Sequence, residues 1–244
     1  MAGMASAPSD SLPDGTSADK RPGVSRLLSL TAHEFRSPLT VVSGYIRMLL
    51  KERAGPVSDQ QRHLLEEAEK SCTRMSALLA EVSDLAHLEA GSAPFNRNTV
   101  DVLQLLREIV AEIPALPDRA VAIDVDGEAG QVHGDAVRLK SALSSVLLAL
   151  RRELVTSDRL AVRVDGSNGT EGPRVRVTIG DADRIDELLA SGPSVLAPFD
   201  EWRGGNGLSL TNARRVIEAH AGGIWGVRDG GRAIATIYLP ASRP

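Results

Sequence analysis

A histidine and a glutamate stand side by side, as His33 and Glu34, in the segment TAHEFRSPLT, which otherwise has a helical pattern. A neutral imidazole is well populated near neutral pH and offers a nitrogen lone pair, so an exposed histidine can attack a phosphoryl group. A neighbouring carboxylate can orient the ring or accept its proton. Pro38 removes one backbone hydrogen bond and can bend the helix after the pair. On spacing alone a plain surface histidine is favoured, because exposed histidines are common, and a nucleophile is the alternative.

The element that carries this pair is predicted to be a helix from Ser25 to about Arg53, because apolar residues recur at intervals of three and four. At about 100° per residue, His33 lies across the helix from that apolar stripe and is therefore predicted to face solvent. The stripe consists of Phe35, Leu39, Val42, Ile46 and Leu49.

A second helix is predicted after a break at Ala54-Gly55-Pro56, with Ser58 suited to cap it. Two helices joined by a short loop form an antiparallel hairpin. The hairpin alone cannot bury both stripes, so we expect a homodimer whose four helices form a bundle. The alternative is that both stripes pack against the chain's own C-terminal part. The second stripe consists of Leu64, Ala68, Cys72, Met75, Leu79, Val82 and Ala86.

The pattern changes after Gly91, and an α/β sandwich is predicted to follow the hairpin. Its expected elements are helices near 102–113, 135–153 and 208–220 and strands near 120–125, 159–165 and 173–180, with a C-terminal hairpin of GIWGV and AIATIYL. The predicted organisation is a disordered tail at 1–24, the hairpin at 25–90, a hinge at 91–97 and the sandwich at 98–244.

Composition narrows the classes of function. The net charge of the 244 residues is −4, with no run of Lys and Arg, which argues against a nucleic-acid binder. The single cysteine, Cys72, fits a reducing compartment. The sequence shows neither a secretory signal nor an apolar stretch of the roughly 20 residues that would span a bilayer. We therefore expect a cytoplasmic protein without a membrane span.

The segment HEFRSPLT, followed by VVSGYIRML, closely resembles the phosphoacceptor box of two-component sensor histidine kinases. Residues 25–90 resemble their dimerisation and histidine-phosphotransfer domain, and residues 98–244 their catalytic ATP-binding domain. The resemblance implies that His33 is phosphorylated, that Glu34 is the adjacent acid or base, and that Ser37 helps to place a water for dephosphorylation. It also implies Mg·ATP as cofactor, a homodimer, a response-regulator receiver domain as partner and a separate sensor or input protein.

The glycine-rich turn Gly205-Asn206-Gly207-Leu208-Ser209 resembles the family's phosphate-binding box, with Ser209 in place of its third glycine. Glycines let the backbone approach phosphate oxygens, and the following helix directs its first N–H groups at them. By the same resemblance, Gly205, Gly207 and Leu208 are nucleotide-binding residues. A simple loop is the alternative for an isolated glycine-rich turn.

The remaining nucleotide-binding positions depart from the family pattern. Asp181 stands at the adenine-recognising position, but the glycines that should follow it are missing. Arg152 falls where the family often has a basic phosphate contact. The family's two asparagines, one of which ligates Mg²⁺, are replaced by Ser145 and Ala149. Alanine has no oxygen to offer a metal that requires oxygen ligation, so no metal residue is predicted. The other histidines show no metal-ligand spacing.

Three hypotheses follow. The first is a histidine kinase that phosphorylates His33 from ATP and transfers the group to a receiver aspartate. The second is a degenerate kinase that acts as a phosphotransferase or phosphatase without ATP-dependent autokinase activity. The third is a signalling scaffold, which leaves the intact segment around His33 without a role.

Overall fold

The computed structural model describes residues 22–116, 120–128, 130–154, 157–169, 172–191, 196–202, 208–227 and 234–242. Two long helices come first and a mixed α/β unit follows them. In chain order the elements are α1 (Pro22–Leu50), α2 (Asp59–Glu89), β1 (Asn98–Asp101), α3 (Val102–Glu112), β2 (Ala122–Gly127), β3 (Gln131–Gly134), α4 (Ala136–Glu153), β4 (Arg159–Gly169), β5 (Gly172–Asp181), α5 (Ile185–Ser191), β6 (Leu196–Pro198), α6 (Ser209–Ala219), β7 (Gly223–Val227) and β8 (Ala235–Pro240).

The predicted cap of α2 is present. Ser58 Oγ accepts a hydrogen bond from the Gln61 backbone N–H at 3.2 Å, and Gln61 Oε1 accepts one from the Ser58 N–H at 2.9 Å. This reciprocal pair satisfies two N–H groups that a helix start leaves without partners. The helix α1 ends at Leu50, earlier than predicted, and Gly55 follows with a φ of 119° that favours glycine.

The hairpin leaves part of each predicted apolar stripe uncovered within one chain. Ala32 and Ile46 of α1 pack against α2, which buries Cys72 and Ala86. In contrast, Phe35 of the predicted α1 stripe is 59% exposed in the single chain. The physical reason is that two helices touch along one line, so apolar residues on the flank of that line stay uncovered within one chain. The uncovered set on α1 also includes Leu30, Val41, Val42, Tyr45 and Met48.

The α/β unit is built on a six-stranded sheet with the order β2-β4-β5-β8-β7-β6. β2 and β4 are parallel, and every other neighbouring pair is antiparallel. The strands β1 and β3 form a separate antiparallel pair. The prediction of a helical hairpin followed by an α/β sandwich is confirmed.

The core of this unit lies between the large sheet and the helices α3, α4 and α6. α4 supplies fully buried side chains, among them Leu139, Leu143 and Leu147, and the sheet supplies Val162, Val177 and Ile237 from β4, β5 and β8. The short elements β1, β3, α5 and β6 were not predicted, because runs of three to seven residues carry little periodicity.

Candidate functional site

His33 lies on α1 with its imidazole in solvent. Its side chain is 77% exposed, and the side chain of Glu34 is 72% exposed. Glu34 Oε1 lies 3.9 Å from His33 Nδ1, which is too far for a hydrogen bond. A change of the Glu34 rotamer would bring the two atoms within hydrogen-bond distance. Nδ1 is the nitrogen that faces Glu34, so Nε2 is the nitrogen free to attack. The predicted exposure of His33 is confirmed.

Ser37 is exposed one turn after His33, and Pro38 lies inside α1. A residue four positions along a helix lies on nearly the same face, so Ser37 and His33 share one side of α1. The Ser37 hydroxyl can donate and accept hydrogen bonds with water. A nucleophile, a carboxylate and a hydroxyl therefore lie together on an open helix face.

The helix α4 carries the positions that the family resemblance assigns to Mg²⁺ and phosphate. Ala149 is 0% exposed and packs in the core, so it presents no ligand to a metal. Ser145 Oγ donates to the Ser141 carbonyl at 3.0 Å. Arg152 is exposed near the end of α4. These three positions therefore offer one hydroxyl and one guanidinium, but no amide or carboxylate oxygen.

Asp181 ends β5 and is 7% exposed. One of its carboxylate oxygens, Oδ1, accepts a hydrogen bond from the Asp183 N–H at 3.1 Å, which shapes the turn that follows the strand. This contact gives the carboxylate a structural role, and its contact with adenine stays a prediction.

The helix α6 begins at Ser209, directly after Leu208, and no side-chain hydrogen bond from Leu208 caps it. Residues 203–207 lie outside the described part of the chain, and they include Gly205 and Gly207. Ser209, which replaces the family's third glycine, donates through Oγ to Glu81 Oε1 of α2 at 2.8 Å. The start of α6 therefore faces the hairpin.

A cavity of about 600 Å³ opens where α2, α4 and α6 meet. Its lining includes three carboxylates, of Glu81, Asp84 and Asp135, whereas Arg138 is the only cation among the described lining residues. Ser145 also lines it, but Asp181 and Ala149 do not. Of the predicted nucleotide residues that the structure describes, Asp181, Arg152 and Leu208 all lie away from this cavity lining. The negative charge of the lining disfavours polyphosphate.

Polar contacts hold α2 against α4 and α6. Arg138 Nη1 donates to both carboxylate oxygens of Asp84, at 2.9 and 3.0 Å. Arg215 Nε lies 2.6 Å from Glu89 Oε1. With the Ser209–Glu81 hydrogen bond, these contacts bind the end of the hairpin to the α/β unit.

The predicted hinge is anchored through Phe95. Its ring packs edge-on against His220, with centroids 5.2 Å apart, and the guanidinium groups of Arg97 and Arg138 lie 5.3 and 5.0 Å from its centroid. The next backbone N–H, of Asn96, donates to Asp135 Oδ2 at 2.8 Å. The segment between the hairpin and the sandwich is therefore tied to α4 and to the end of α6.

His220 and Asp135 form a buried pair next to this segment. His220 Nε2 accepts from the Asp135 N–H at 2.9 Å, which makes Nδ1 the protonated nitrogen that donates to the Val216 carbonyl at 2.7 Å. Burial lowers the pKa of His220, the Val216 carbonyl opposes this, and Arg97 adds to the lowering. His220 is thus a neutral structural histidine.

The pKa of Asp135 is also lowered. Burial alone would raise it, but the carboxylate accepts backbone N–H hydrogen bonds from Asn96, Arg138 and Val137, and these favour the charged form. Two of the donors lie in the first turn of α4, so Asp135 is the cap of that helix.

Mg·ATP, the cofactor that the family resemblance implies, does not fit the described residues. Ala149, which the resemblance places at the metal position, is buried, and the hydroxyl of Ser209, which it places in the phosphate-binding box, donates to the Glu81 carboxylate. In the described part of the chain, no three His, Cys, Asp or Glu side chains come together as a metal site.

The sequence did not point to Glu81, Asp84 or Phe95. Glu81 meets Ser209 across 128 positions of sequence, and such a pairing leaves no periodic signal. The replacement of a family glycine by Ser209 was the one available sign that this turn has another contact.

Comparison with known proteins agrees with the geometry at His33. Residues 24–91 match the His Kinase A (phospho-acceptor) domain. Over 196 residues, 78% of the chain, the sequence is 25% identical to the sensor protein DivL of Caulobacter vibrioides and 29% identical to the phosphate regulon sensor protein PhoR of Pseudomonas aeruginosa. These alignments cover 24% and 43% of the two relatives, so the chain spans less than half of either.

Two solved structures share the fold. A full-length ShkA crystal structure in complex with AMPPNP matches with a TM-score of 0.62 and 21% identity, over 90% of this chain and 46% of that chain. The histidine kinase AdeS of Acinetobacter baumannii matches with a TM-score of 0.53 and 17% identity, over 86% of this chain and 98% of that chain.

Among the helices in the described part of the chain, none is long and apolar enough to cross a bilayer.

Proposed function

Because the chain belongs to the two-component sensor histidine kinase family, we propose that it carries a phosphoryl group on His33 and exchanges it with an aspartate of a response-regulator receiver domain. The observation that carries this proposal is the exposed imidazole of His33 beside Glu34 on a packed helix. A receiver domain can reach such a nitrogen without any rearrangement of the hairpin.

The transfer uses the lone pair of His33 Nε2. This nitrogen attacks the phosphorus of the receiver's aspartyl phosphate, and the bond between phosphorus and the carboxylate oxygen breaks with its electron pair on the leaving carboxylate. The imidazole then loses the proton of Nδ1, and Glu34, whose Oε1 lies 3.9 Å from Nδ1, is the proposed base. The reverse transfer returns the phosphoryl group to the receiver.

Ser37 is proposed to orient water for hydrolysis of a phosphoryl group. Its hydroxyl is exposed on the face of α1 that carries His33. A hydroxyl can hold a water by accepting or donating a hydrogen bond, so phosphatase activity toward a receiver remains part of the proposal.

A homodimer is proposed through the uncovered apolar residues on the face of α1 that carries Phe35 and Val42. Phe35 and Val42 are seven residues apart and therefore lie on one face of α1, across the helix from His33. Both are exposed in the single chain, at 59% and 48%. A second hairpin packed there would bury them and leave His33 open.

The source of the phosphoryl group separates two candidate functions. Transfer from a receiver alone is favoured by the core position of Ala149 and by the carboxylates around the cavity. Autophosphorylation from ATP is the second candidate, and the fold shared with ShkA, which was solved in complex with AMPPNP, supports it.

Radiolabelled phosphoryl transfer distinguishes these candidates. The purified chain is incubated either with Mg·ATP or with a labelled phosphorylated receiver, and acid-labile, base-stable label is measured. Label from the receiver only, absent in His33→Ala and retained in His63→Ala, is the expected result. Label from Mg·ATP would establish autokinase activity, and no label from either source would contradict both candidates.

A further inference from the structure

The buried imidazole of His220 lies between the end of α6 and the segment 94–97, which joins the hairpin to the α/β unit. Both of its ring nitrogens are engaged, since Nε2 accepts the Asp135 N–H at 2.9 Å and Nδ1 lies 2.7 Å from the Val216 carbonyl. His220 is 7% exposed, so the ring has little contact with solvent. A proton can be added only at Nε2, where the Asp135 N–H already points at the ring.

The segment 94–97 is fastened at the same place, because each of its four residues contacts the end of α6 or the start of α4. The contacts are the Pro94 carbonyl with Arg138 Nε at 3.3 Å, the Phe95 ring with the His220 ring, the Asn96 N–H with Asp135 Oδ2 at 2.8 Å, and Arg97 Nη2 with the Ala219 carbonyl at 2.7 Å. A change at His220 therefore reaches the segment directly.

Charged groups face His220 from the elements packed against it. The guanidinium groups of Arg97, before β1, and Arg138, in α4, disfavour an imidazolium, whereas the Asp135 carboxylate favours one. On α6 itself, Glu218 is paired with an arginine of the same helix. Burial is the largest influence on the pKa of His220 and lowers it, so the docked arrangement keeps the ring neutral.

A close contact with β3 prevents the ring from moving aside. A Cβ added to Gly134 would lie 2.8 Å from His220 Cδ2 and 3.1 Å from Nε2, so the ring packs directly on the backbone there. A protonated Nε2 would face the Asp135 N–H as one donor against another. Because the ring cannot withdraw toward Gly134, the groups around it have to move instead.

The Asp135 carboxylate is the group that can accept the new N–H of the ring. Its Oδ1 accepts the Val137 and Arg138 N–H groups, both at 3.1 Å, and its Oδ2 accepts the Asn96 N–H at 2.8 Å. The bonds at Oδ1 cap α4, whereas Asn96 lies outside that helix. A protonated His220 that donates to the carboxylate therefore competes with Asn96 for Oδ2.

We propose that the neutral form of His220 holds the segment 94–97 against the α/β unit, and that protonation of its imidazole releases the segment as the pH falls. Because this segment is the covalent connection between the hairpin and the α/β unit, its release allows the two parts to move relative to each other. This regulation does not rest on phosphoryl transfer at His33.

The pH window follows from linkage between protonation and release. In the released state the ring regains its ordinary pKa of 6.5, whereas in the docked state the pKa is lower. The released state therefore binds more protons below pH 6.5 and is favoured there, and the effect stops below the lowered pKa. Because a single proton is involved, the equilibrium constant for release changes by at most about tenfold per pH unit.

Hydrogen exchange of the Asn96 amide measures the release, because this N–H is bonded to Asp135 in the docked state. Exchange rates of the full chain at pH 7.5 and pH 5.5 are divided by the intrinsic rate at each pH to give protection factors. The test variant is His220→Gln, whose amide oxygen can accept the Asp135 N–H and is not protonated at either pH. His63→Gln is the control, since it replaces an exposed histidine of α2.

The protection factor of Asn96 should fall several-fold, up to about tenfold, from pH 7.5 to pH 5.5 in the wild type and in His63→Gln. In His220→Gln it should be the same at both pH values. Arg97→Gln gives a second check that does not depend on the folding of His220→Gln. It removes one of the cations that face His220, so the fall in protection should move to higher pH.

Three results would overturn the proposal. Unchanged protection of Asn96 in the wild type down to pH 5.5 would mean that protonation does not release the segment 94–97. A fall of equal size in His220→Gln would place the acid sensitivity in another group. A pH profile that does not move in Arg97→Gln would show that the titrating group is not the ring that this guanidinium faces.

Discussion

His33 and His220 are the same residue type in opposite surroundings. His33 projects from α1 with 77% of its side chain exposed, and its nitrogens are accessible to a partner. His220 is buried, and both of its ring nitrogens are engaged with the backbone, one with the Asp135 N–H and one with the Val216 carbonyl. An accessible nitrogen lone pair is required for attack on phosphorus, so only His33 of these two can be the nucleophile.

Glu34→Gln should slow phosphorylation of His33 by roughly 100-fold, because positioned acid–base catalysis contributes at least about that factor. The amide cannot accept the Nδ1 proton, although it keeps the size of the side chain. The measurement is the initial rate of label transfer from a phosphorylated receiver, with Glu66→Gln as the control. An unchanged rate would remove Glu34 from the proposed chemistry.

The lowered pKa of His220 predicts a stability that depends on pH. A base whose pKa is lower in the folded state contributes stability that is present above its ordinary pKa of 6.5. That contribution is lost as the pH falls below 6.5 and through the lowered value. A protonated ring also cannot accept the Asp135 N–H, and a buried donor left without a partner costs about 1–3 kcal/mol.

The melting temperature of the wild type should therefore fall from pH 7.5 to pH 5.5 by more than that of His220→Gln. His87→Gln changes an exposed histidine and should follow the wild type. Equal pH dependence in His220→Gln and the wild type would show that His220 does not titrate as described.

At the scale of elements, the helix starts were the most predictable features. Ser58 accepts a hydrogen bond from the first turn of α2, as a short polar side chain before an apolar run indicates. Asp101 and Asp135 cap α3 and α4 in the same way, although the sequence placed Asp135 inside its helix. The long segments of α1, α2 and α4 were predicted because the spacing of their apolar residues is that of a helix. The pair β1–β3 was not predicted, because each of its four-residue strands depends on a partner strand that is distant in sequence, as in the pair Asn98 and Gly134.

The uncovered face of α1 predicts how the dimer can be broken. Val42→Asp should weaken self-association by about 100-fold or more, because an unpaired charge would be buried between hairpins. Val41→Asp is the matched control, since residue 41 is also exposed but lies about 100° around the helix. Sedimentation equilibrium gives the dissociation constants. Equal effects of the two variants would contradict the proposed dimer face.

At the scale of the whole molecule, the contacts between the hairpin and the α/β unit could not be predicted. Packing brings Glu81 to Ser209 and Phe95 to His220. The sequence around each of these residues does not indicate which distant residue it contacts. The resemblance to the kinase family predicted the hairpin and the α/β unit, and it singled out His33 as the phosphoacceptor. It did not predict that the cavity between the parts would be lined by carboxylates.

Phe95→Ala should loosen the junction between the two parts. The ring loses one edge-on contact and two guanidinium contacts, which together contribute about 2 kcal/mol. Urea denaturation measures the change in the free energy of unfolding. Trp202→Ala is the control, because Trp202 is 70% exposed and should cost far less. A loss as large in Trp202→Ala would mean that Phe95 has no special role at the junction.

Mapping the phosphoryl group after incubation with a phosphorylated receiver tests the central claim most directly. The chain is incubated without ATP, and peptide mass spectrometry at neutral or alkaline pH locates the added phosphoryl group. We predict a single modified residue, His33, and no modification in His33→Ala. A phosphoryl group on another residue, or none on a chain that is folded and dimeric, would contradict the assignment of His33 as the phosphoacceptor.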